Sequence, residues 1–202
     1  MKRYGVDIRL NERLDRHHAQ AADAIVIATG ARAHMPDFLG RADAGAVHAG
    51  DVIADKASVG KTVVIAESTF DRVSMGVAEK LAQAGHAVTL RALGFGAGEN
   101  LPIGTKGHGR GPLHALGVTI DPLLRLASVS DGTAYFEPAT GGQVVTFEGV
   151  DPLVVSAGGE ADTALEDSLS GFGGRVLTIG DCLGPRTVEQ AILEGLRVGT
   201  DL

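Results

Sequence analysis

An α/β fold built on parallel strands follows from three stretches of the sequence. Residues 176–195 open with Val176-Leu177-Thr178-Ile179, a short apolar run that reads as a buried strand. The run stops at Gly180-Asp181. Pro185 and Thr187 then begin a helix that carries Val188, Ala191, Ile192 and Leu196 on one side. Residues 61–90 give a complete strand–helix–strand unit. Its helix shows Val73, Val77, Ala78, Leu81 and Ala84 on one face and stops at Gly85. Residues 24–32 form a further apolar run that ends in Ala28-Thr29-Gly30. Strands alternating with helices in this way build parallel sheets.

The totals set the class. At 202 residues the chain holds one or two domains with a real core. It is 44% hydrophobic and 21% charged with 29 glycines, a globular composition rich in tight turns. A net charge of −7 offers no basic footprint for nucleic acid or for an acidic membrane surface. The single cysteine, Cys182, makes no internal disulfide and no thiolate metal or iron–sulfur site, and reads as a buried structural residue. No apolar stretch reaches membrane-spanning length and residues 1–4 lead into no signal-peptide core, so the expected location is the cytoplasm.

Taken in order, residues 4–10 alternate apolar and polar and predict a strand. Residues 11–22 are polar. His17 and His18 are adjacent there, so they point to different sides and form a poor metal pair. The run 24–32 is the next strand, followed by a connector over 32–55. Within the strand–helix–strand unit the turn reads Ala66-Glu67-Ser68-Thr69-Phe70-Asp71-Arg72-Val73-Ser74-Met75-Gly76. A dinucleotide fingerprint needs Gly-x-Gly-x-x-Gly at this place, so that the backbone can approach a pyrophosphate. Only Gly76 remains, and Glu67 and Asp71 repel phosphate. Arg91, at the end of the second strand, is the one cation here suited to a 2′-phosphate.

Residues 94–111 contain seven glycines and read as a surface loop, with a short helix over 112–116. Residues 118–120, 125–130, 133–137 and 143–148 predict strands, the last two joined as a hairpin at Thr140-Gly141-Gly142. Residues 153–159 repeat the pattern of 25–30. The expected plan is therefore one layer system from 1–50 and 151–202, with a strand–helix–strand-plus-meander insert at 51–150. Ser68 and His86 share the insert but no third group orients them, and no catalytic residue and no metal set is assigned. The candidate site is Gly180-Asp181. Gly180 lets a ligand approach, and Asp181 brings two acceptor oxygens to the carboxyl end of a strand. The facing helix end supplies N–H groups and positive potential. The pair suits a sugar or ribityl hydroxyl beside an anion.

Gly180-Asp181-Cys182-Leu183-Gly184-Pro185-Arg186, with Ala191 and Glu194-Gly195 following, resembles the last flavin-domain motif of the trimethylamine dehydrogenase and 2,4-dienoyl-CoA reductase group, multidomain relatives of old yellow enzyme. Ala28-Thr29-Gly30 resembles the motif at which two-dinucleotide-domain flavoproteins leave the flavin domain for an inserted nicotinamide-type domain. The turn 66–76, followed by Val77-Ala78-Glu79-Lys80-Leu81-Ala82 and Gly85-His86, is similar to the degenerate turn of trimethylamine dehydrogenase, whose corresponding domain is not a working nicotinamide site. The resemblance spans residues 3–199.

It implies a partial two-dinucleotide-binding-domain, Rossmann-like flavoprotein fold. It implies FAD, or ADP in its place, held at Ala28, Thr29, Gly30, Gly180, Asp181, Arg186 and Thr187, with Asp181 on the ribityl or ribose part. The family's first Gly-x-Gly-x-x-Gly unit, its FMN-binding barrel and its cluster cysteines are not in this sequence. FMN and an iron–sulfur cluster are thus expected only in an amino-terminal part outside it, and that barrel or a partner subunit is the expected partner. The implied function is the carboxyl-terminal nucleotide- or flavin-binding, electron-transfer module of an NADH:flavin-type oxidoreductase, an amine demethylase or enoyl reductase. The isolated chain is not expected to be active. Two other readings stay open: a non-catalytic module that packs on partner domains, and an NADP-binding protein that uses Arg91.

Overall fold

A computed structural model of the chain describes residues 4–14, 16–39, 45–150 and 152–202. Residues 1–3, part of the signal-peptide argument, and 40–44 of the connector lie outside the described residues. The chain divides into two compact units, unit 1 from Met1–Arg32 with Gly159–Leu202 and unit 2 from Ala33–Gly158.

In chain order, unit 1 begins with α1 (Arg16–Ala19), β1 (Ala24–Ile27) and β2 (Ala31–Ala33), the last ending at the boundary. Unit 2 follows with β3 (Ala46–His48), α2 (Ala49–Ile53), β4 (Thr62–Glu67), α3 (Val73–Gln83), β5 (Ala87–Ala92) and α4 (Ile103–Ala115). It continues with β6 (Thr119–Asp121), β7 (Leu124–Ser130), β8 (Thr133–Pro138), β9 (Val145–Glu148) and β10 (Leu153–Ser156). Unit 1 then resumes with β11 (Gly159–Ala161), α5 (Ala164–Ser168), β12 (Arg175–Thr178) and α6 (Val188–Asp201).

Unit 2 is built on a five-stranded parallel sheet in the order β3-β10-β4-β5-β6. Alternation along β4 shows why it is stable. Val63 and Ile65 enter one apolar cluster with Val77, Leu81, Leu90 and Leu113. Val64 and Ala66 enter another with Leu153, Val155, Ala134 and Phe136. The sheet is thus covered on both faces, as parallel sheets require. The second cover is the antiparallel sheet β7-β8-β9, where Phe136 and Phe147 meet edge to face at 5.9 Å. Unit 1 has a smaller core of Ala19, Ile25, Ile27, Leu169 and Cys182. Its β1 and β12 pair in parallel, Ala24 opposite Arg175 through Ile27 opposite Thr178. Its other pair is β2 with β11.

Three sequence expectations change here. Residues 103–111, expected as loop, belong to the thirteen-residue α4, which runs through Pro112. Tertiary contact outweighs the poor propensity of its glycines. A Cβ at Gly109 would lie 2.4 Å from the Met75 side chain, so glycine lets α4 close on α3. Arg110 donates to the Ala97 carbonyl at 3.0 and 2.7 Å, and Leu113 is fully buried. Second, residues 4–10 form no strand, and Tyr4, Val6, Ile8 and Leu10 are all exposed. Third, β10, whose pattern repeats that of residues 25–30, sits between β3 and β4 in unit 2 rather than beside β1.

The division of core predicts unequal local stability. Limited proteolysis followed by mass spectrometry is expected to leave a resistant core from within residues 33–158, where two large clusters back one sheet. A resistant core made of 1–32 with 159–202 would contradict this.

Candidate functional site

The register of β1 on β12 decides what meets in unit 1. Ile27 lies opposite Thr178, and the Ile179 amide donates to the Ile27 carbonyl at 2.9 Å. Both strands therefore end together, and Ala28-Thr29-Gly30 and Gly180-Asp181 leave the same end of one parallel pair. Gly180 opens the 3₁₀ turn Gly180–Cys182 with φ +69°, a backbone state that favours glycine. A Cβ there would meet Ala191 only at 3.8 Å, so conformation and not crowding selects the glycine. The Gly180 amide donates to Glu194 Oε2 at 2.7 Å. Glu194 also pairs with the Arg186 guanidinium, which in turn donates to the Gly184 carbonyl at 3.0 Å. Cys182 is buried, its Sγ 3.0 Å from the Ile179 carbonyl and 3.3 Å from that of Ile27, as befits a structural thiol.

Asp181 is exposed and accepts one long bond, 3.4 Å, from the Arg186 amide. Thr187 stands at the cap position of α6 with extended backbone, but its hydroxyl makes no capping bond. The expected hydroxyl cap is thus not formed. On the other turn, Thr29 Oγ1 donates to the Asp162 carbonyl at 3.0 Å, and the Gly30 carbonyl accepts from the Asp162 amide at 3.1 Å. Gly30 has φ +81°. The Asp162 carboxylate meets Arg32 at 2.9 Å, and that bond holds its pKa below the usual range. Glu194 and Asp162 tie the two turns down, and reading the sequence for ligand contacts missed both. The trace of Glu194 was its place in the motif tail Glu194-Gly195.

The turn of unit 2 is built differently. The Asp71 carboxylate takes the Val73 amide, at 2.7 Å, at the start of α3. Glu67 is 2% exposed, and its Oε1 accepts from the Gly98 amide at 3.2 Å while Oε2 has no partner. Burial, chiefly, pushes its pKa up to about 7; Asp71 adds to the rise, while Gly98, Ser74 and Arg110 oppose it. Arg91 is 8% exposed, paired with Asp121 and stacked 3.6 Å over the Phe147 ring. It presents no open guanidinium to a 2′-phosphate. A cavity of about 180 Å³ at the carboxyl ends of β4 and β10 is walled by Phe38, Ala66, Leu93, Leu126 and Val155, with Glu67, Ser68 and Arg125 as its polar lining.

Among the described residues no cluster of three or more His, Cys, Asp or Glu is placed to hold a metal, and no helix is long and apolar enough to cross a membrane. His18 pairs with Glu12 at 3.2 Å.

Comparison with known proteins places this geometry. No protein-family model and no curated protein sequence matches the chain. Solved structures do. A 2-naphthoyl-CoA reductase, solved with 2-naphthoyl-CoA, superposes on all of this chain with TM-score 0.85 and 26% identity. The 6-hydroxypseudooxynicotine amine oxidase of Pseudomonas geniculata N1 covers 94% of it with TM-score 0.81 and 22% identity. Histamine dehydrogenase of Rhizobium sp. 4-9 covers 95% with TM-score 0.82 and 20% identity; the last two likenesses are of fold. The matches take up 30%, 31% and 33% of those proteins, so this chain spans about a third of their length. All three are flavoproteins related to trimethylamine dehydrogenase and old yellow enzyme. In its mixed α/β fold the chain is similar to a part of these trimethylamine dehydrogenase-like, old yellow enzyme-related flavoproteins.

Proposed function

We propose that the chain is the nucleotide- or flavin-binding, electron-transfer module of an NADH:flavin-type oxidoreductase, of the amine demethylase or enoyl reductase kind. The observation that carries this reading is the common end of β1 and β12, where two turns of flavoprotein type leave side by side. FAD or ADP is the proposed cofactor. It lies against Ala28, Thr29, Gly30, Gly180, Asp181, Arg186 and Thr187, and when bound it supplies the redox or nucleotide chemistry that the side chains here lack.

The residues fit such a group unevenly. Asp181 is exposed, and the one bond a hydroxyl would have to displace is the long one from the Arg186 amide to Oδ1. Gly180 adds no side chain in the way, and the capping hydroxyl of the fourteen-residue α6 is uncommitted to its amides. A helix start of this kind suits a phosphate or flavin oxygen. Against the anion stands Glu189 in the first turn of α6. Arg186, held by Glu194, adds positive charge without reaching out. The paired Arg91 and the occupied turn of unit 2 favour this site over an NADP site in unit 2.

Asp181→Ala is expected to weaken FAD or ADP binding by the cost of a charge-assisted hydrogen bond, about 1.5–3 kcal/mol, or roughly ten- to a hundredfold. The measurement is calorimetric titration of the chain assembled with the part that completes its flavin-binding half. Asp71→Ala, in unit 2, is expected to leave the affinity unchanged. The reverse pattern would move the cofactor to unit 2 and end this reading.

A further inference from the structure

The cavity of unit 2 shares no residue with the proposed flavin site, since all of its lining lies within 33–158. It stands where a parallel sheet is most open to ligands. β4 leads through α3 to β5 on one side, while β10 and β3 lie on its other side, so the strand order reverses between β10 and β4. Carboxyl ends of strands at such a reversal form a crevice that ligands use. Val155 and Ala66 are register partners and lie side by side in the lining, where Ala66 offers only a methyl group. Phe38 is 53% exposed although the next residue, Leu39, is buried, so an anchored turn leaves an aromatic ring open beside the cavity. Most of the polar lining is committed elsewhere. Alternation turns the Glu67 carboxyl to the opposite face of the sheet, where the Gly98 amide donates to it. Along β7 it turns Arg125 away from the side of Leu124 and Leu126, to pair with Glu137. Ser68 differs. It is exposed, and its hydroxyl donates one long bond, 3.4 Å, to the Ser156 carbonyl.

We infer that this cavity binds a small neutral molecule, a single aromatic ring bearing one hydroxyl or carbonyl, with the ring among Phe38, Leu126 and Val155 and the polar group on Ser68. Its size points to one ring. Close-packed interiors leave few voids larger than a water molecule. This cavity measures about 180 Å³, and an apolar cavity of about 150 Å³ takes up benzene. The open Phe38 ring suits offset or edge-on packing against an aromatic ligand. An ionised ligand would lose its water and meet no unpaired opposite charge, because Arg125 is already paired with Glu137. A pyrophosphate needs free amides at the start of α3, and there the Asp71 carboxylate holds the Val73 amide. The weakly bonded Ser68 hydroxyl is the polar side chain left to fix the ligand's orientation.

The test titrates the full chain with para-fluorophenol, read by fluorine NMR and by the methyl signals of the labelled chain. The expected result is saturation at one site per chain, with a Kd below about 1 mM, as befits a ligand of so few atoms. The methyl signals of Leu93, Leu126 and Val155 shift with it. Ser68→Ala weakens para-fluorophenol by roughly three- to tenfold, the loss of one neutral hydrogen bond, and leaves fluorobenzene, which has no hydroxyl, bound as before. The anionic para-fluorobenzoate binds roughly tenfold or more weakly than the phenol. Ala66→Val, which fills the space beside Val155, weakens both neutral rings. If circular dichroism shows that this variant is unfolded, the methyl shifts and the Ser68→Ala comparison decide. Four results would overturn the inference: no saturation, methyl shifts confined to other residues, an equal loss of phenol and fluorobenzene in Ser68→Ala, or displacement of the probe by NADPH. Each leaves the flavin reading untouched, because the residues of that site lie in unit 1.

Discussion

Glu67→Gln is expected to stabilise unit 2 by about 3 kcal/mol at about pH 8 and by little at about pH 4. The carboxyl is 2% exposed, sits at the end of β4 and has a pKa raised from 4.5 to about 7, chiefly by burial. Below 4.5 the group is protonated whether the chain is folded or not, and its burial costs no charge. As pH rises the unfolded chain gives up the proton first. Folding then becomes steadily less favourable until pH passes about 7, where the full cost is reached. Glutamine keeps the neutral shape. Its carbonyl can take the Gly98 amide, which now donates to Oε1 at 3.2 Å, and its amide can face the buried Ser74 hydroxyl beside it. Urea unfolding followed by far-ultraviolet circular dichroism, at both pH values, reads the difference. An equal effect at the two would show that the carboxyl titrates alike in the folded and unfolded chain, so that burial costs it no charge.

The same residue stands where the strand–helix–strand unit of unit 2 would need an open turn to take a dinucleotide. In a working fingerprint, glycines let a pyrophosphate reach the backbone at the start of the helix. Here that position holds a buried carboxyl from Glu67, and the Asp71 carboxylate occupies the Val73 amide.

Much of unit 2 was legible because its signals are local. Residues 62–92 carry apolar runs of strand length, a helical face of period 3.6 and a glycine stop at Gly85, which indeed has φ +90°. The meander was legible from alternation and the Gly141-Gly142 turn. What failed depends on partners distant in sequence. Seven glycines hid α4, since the Met75 and Ala97 contacts that hold Gly109 and Arg110 lie on other segments. Residues 4–10 alternate just as β7 does, but alternation states only which side is apolar, not whether a neighbouring strand exists. The strands β1 and β10 read alike, and pairing alone separates them.

At the candidate site, a glycine and an acid ending an apolar run marked the turn at Gly180-Asp181. Its internal bonds left no such mark. Glu194 reaches the Gly180 amide from fourteen residues further along, and Arg186 reads as an anion contact until its own carboxylate partner is seen. Charged residues in a motif can serve the ligand or one another, and only geometry tells which.

Arg91→Ala is expected to destabilise unit 2 by about 3 kcal/mol, the low end of the cost of breaking a buried ion pair. The low end applies because the Asp121 side chain keeps 35% of its exposure and can be partly rehydrated when its partner goes. The change also removes a guanidinium stacked 3.6 Å from the Phe147 ring centre, in the layer where Phe147 packs on Phe136. Arg91→Met keeps most of the packing and isolates the charge. Pairing it with Asp121→Leu removes both ions together, and such apolar replacement of an ion pair is often nearly neutral. The double change should therefore recover most of what Arg91→Ala loses, in the same urea unfolding measured at neutral pH. These variants also separate the NADP reading from the structural one. If Arg91 is a structural cation, its loss moves stability and leaves NADPH titration of the chain unchanged. A variant that unfolds like the parent but loses NADPH affinity would return Arg91 to the role of a phosphate contact.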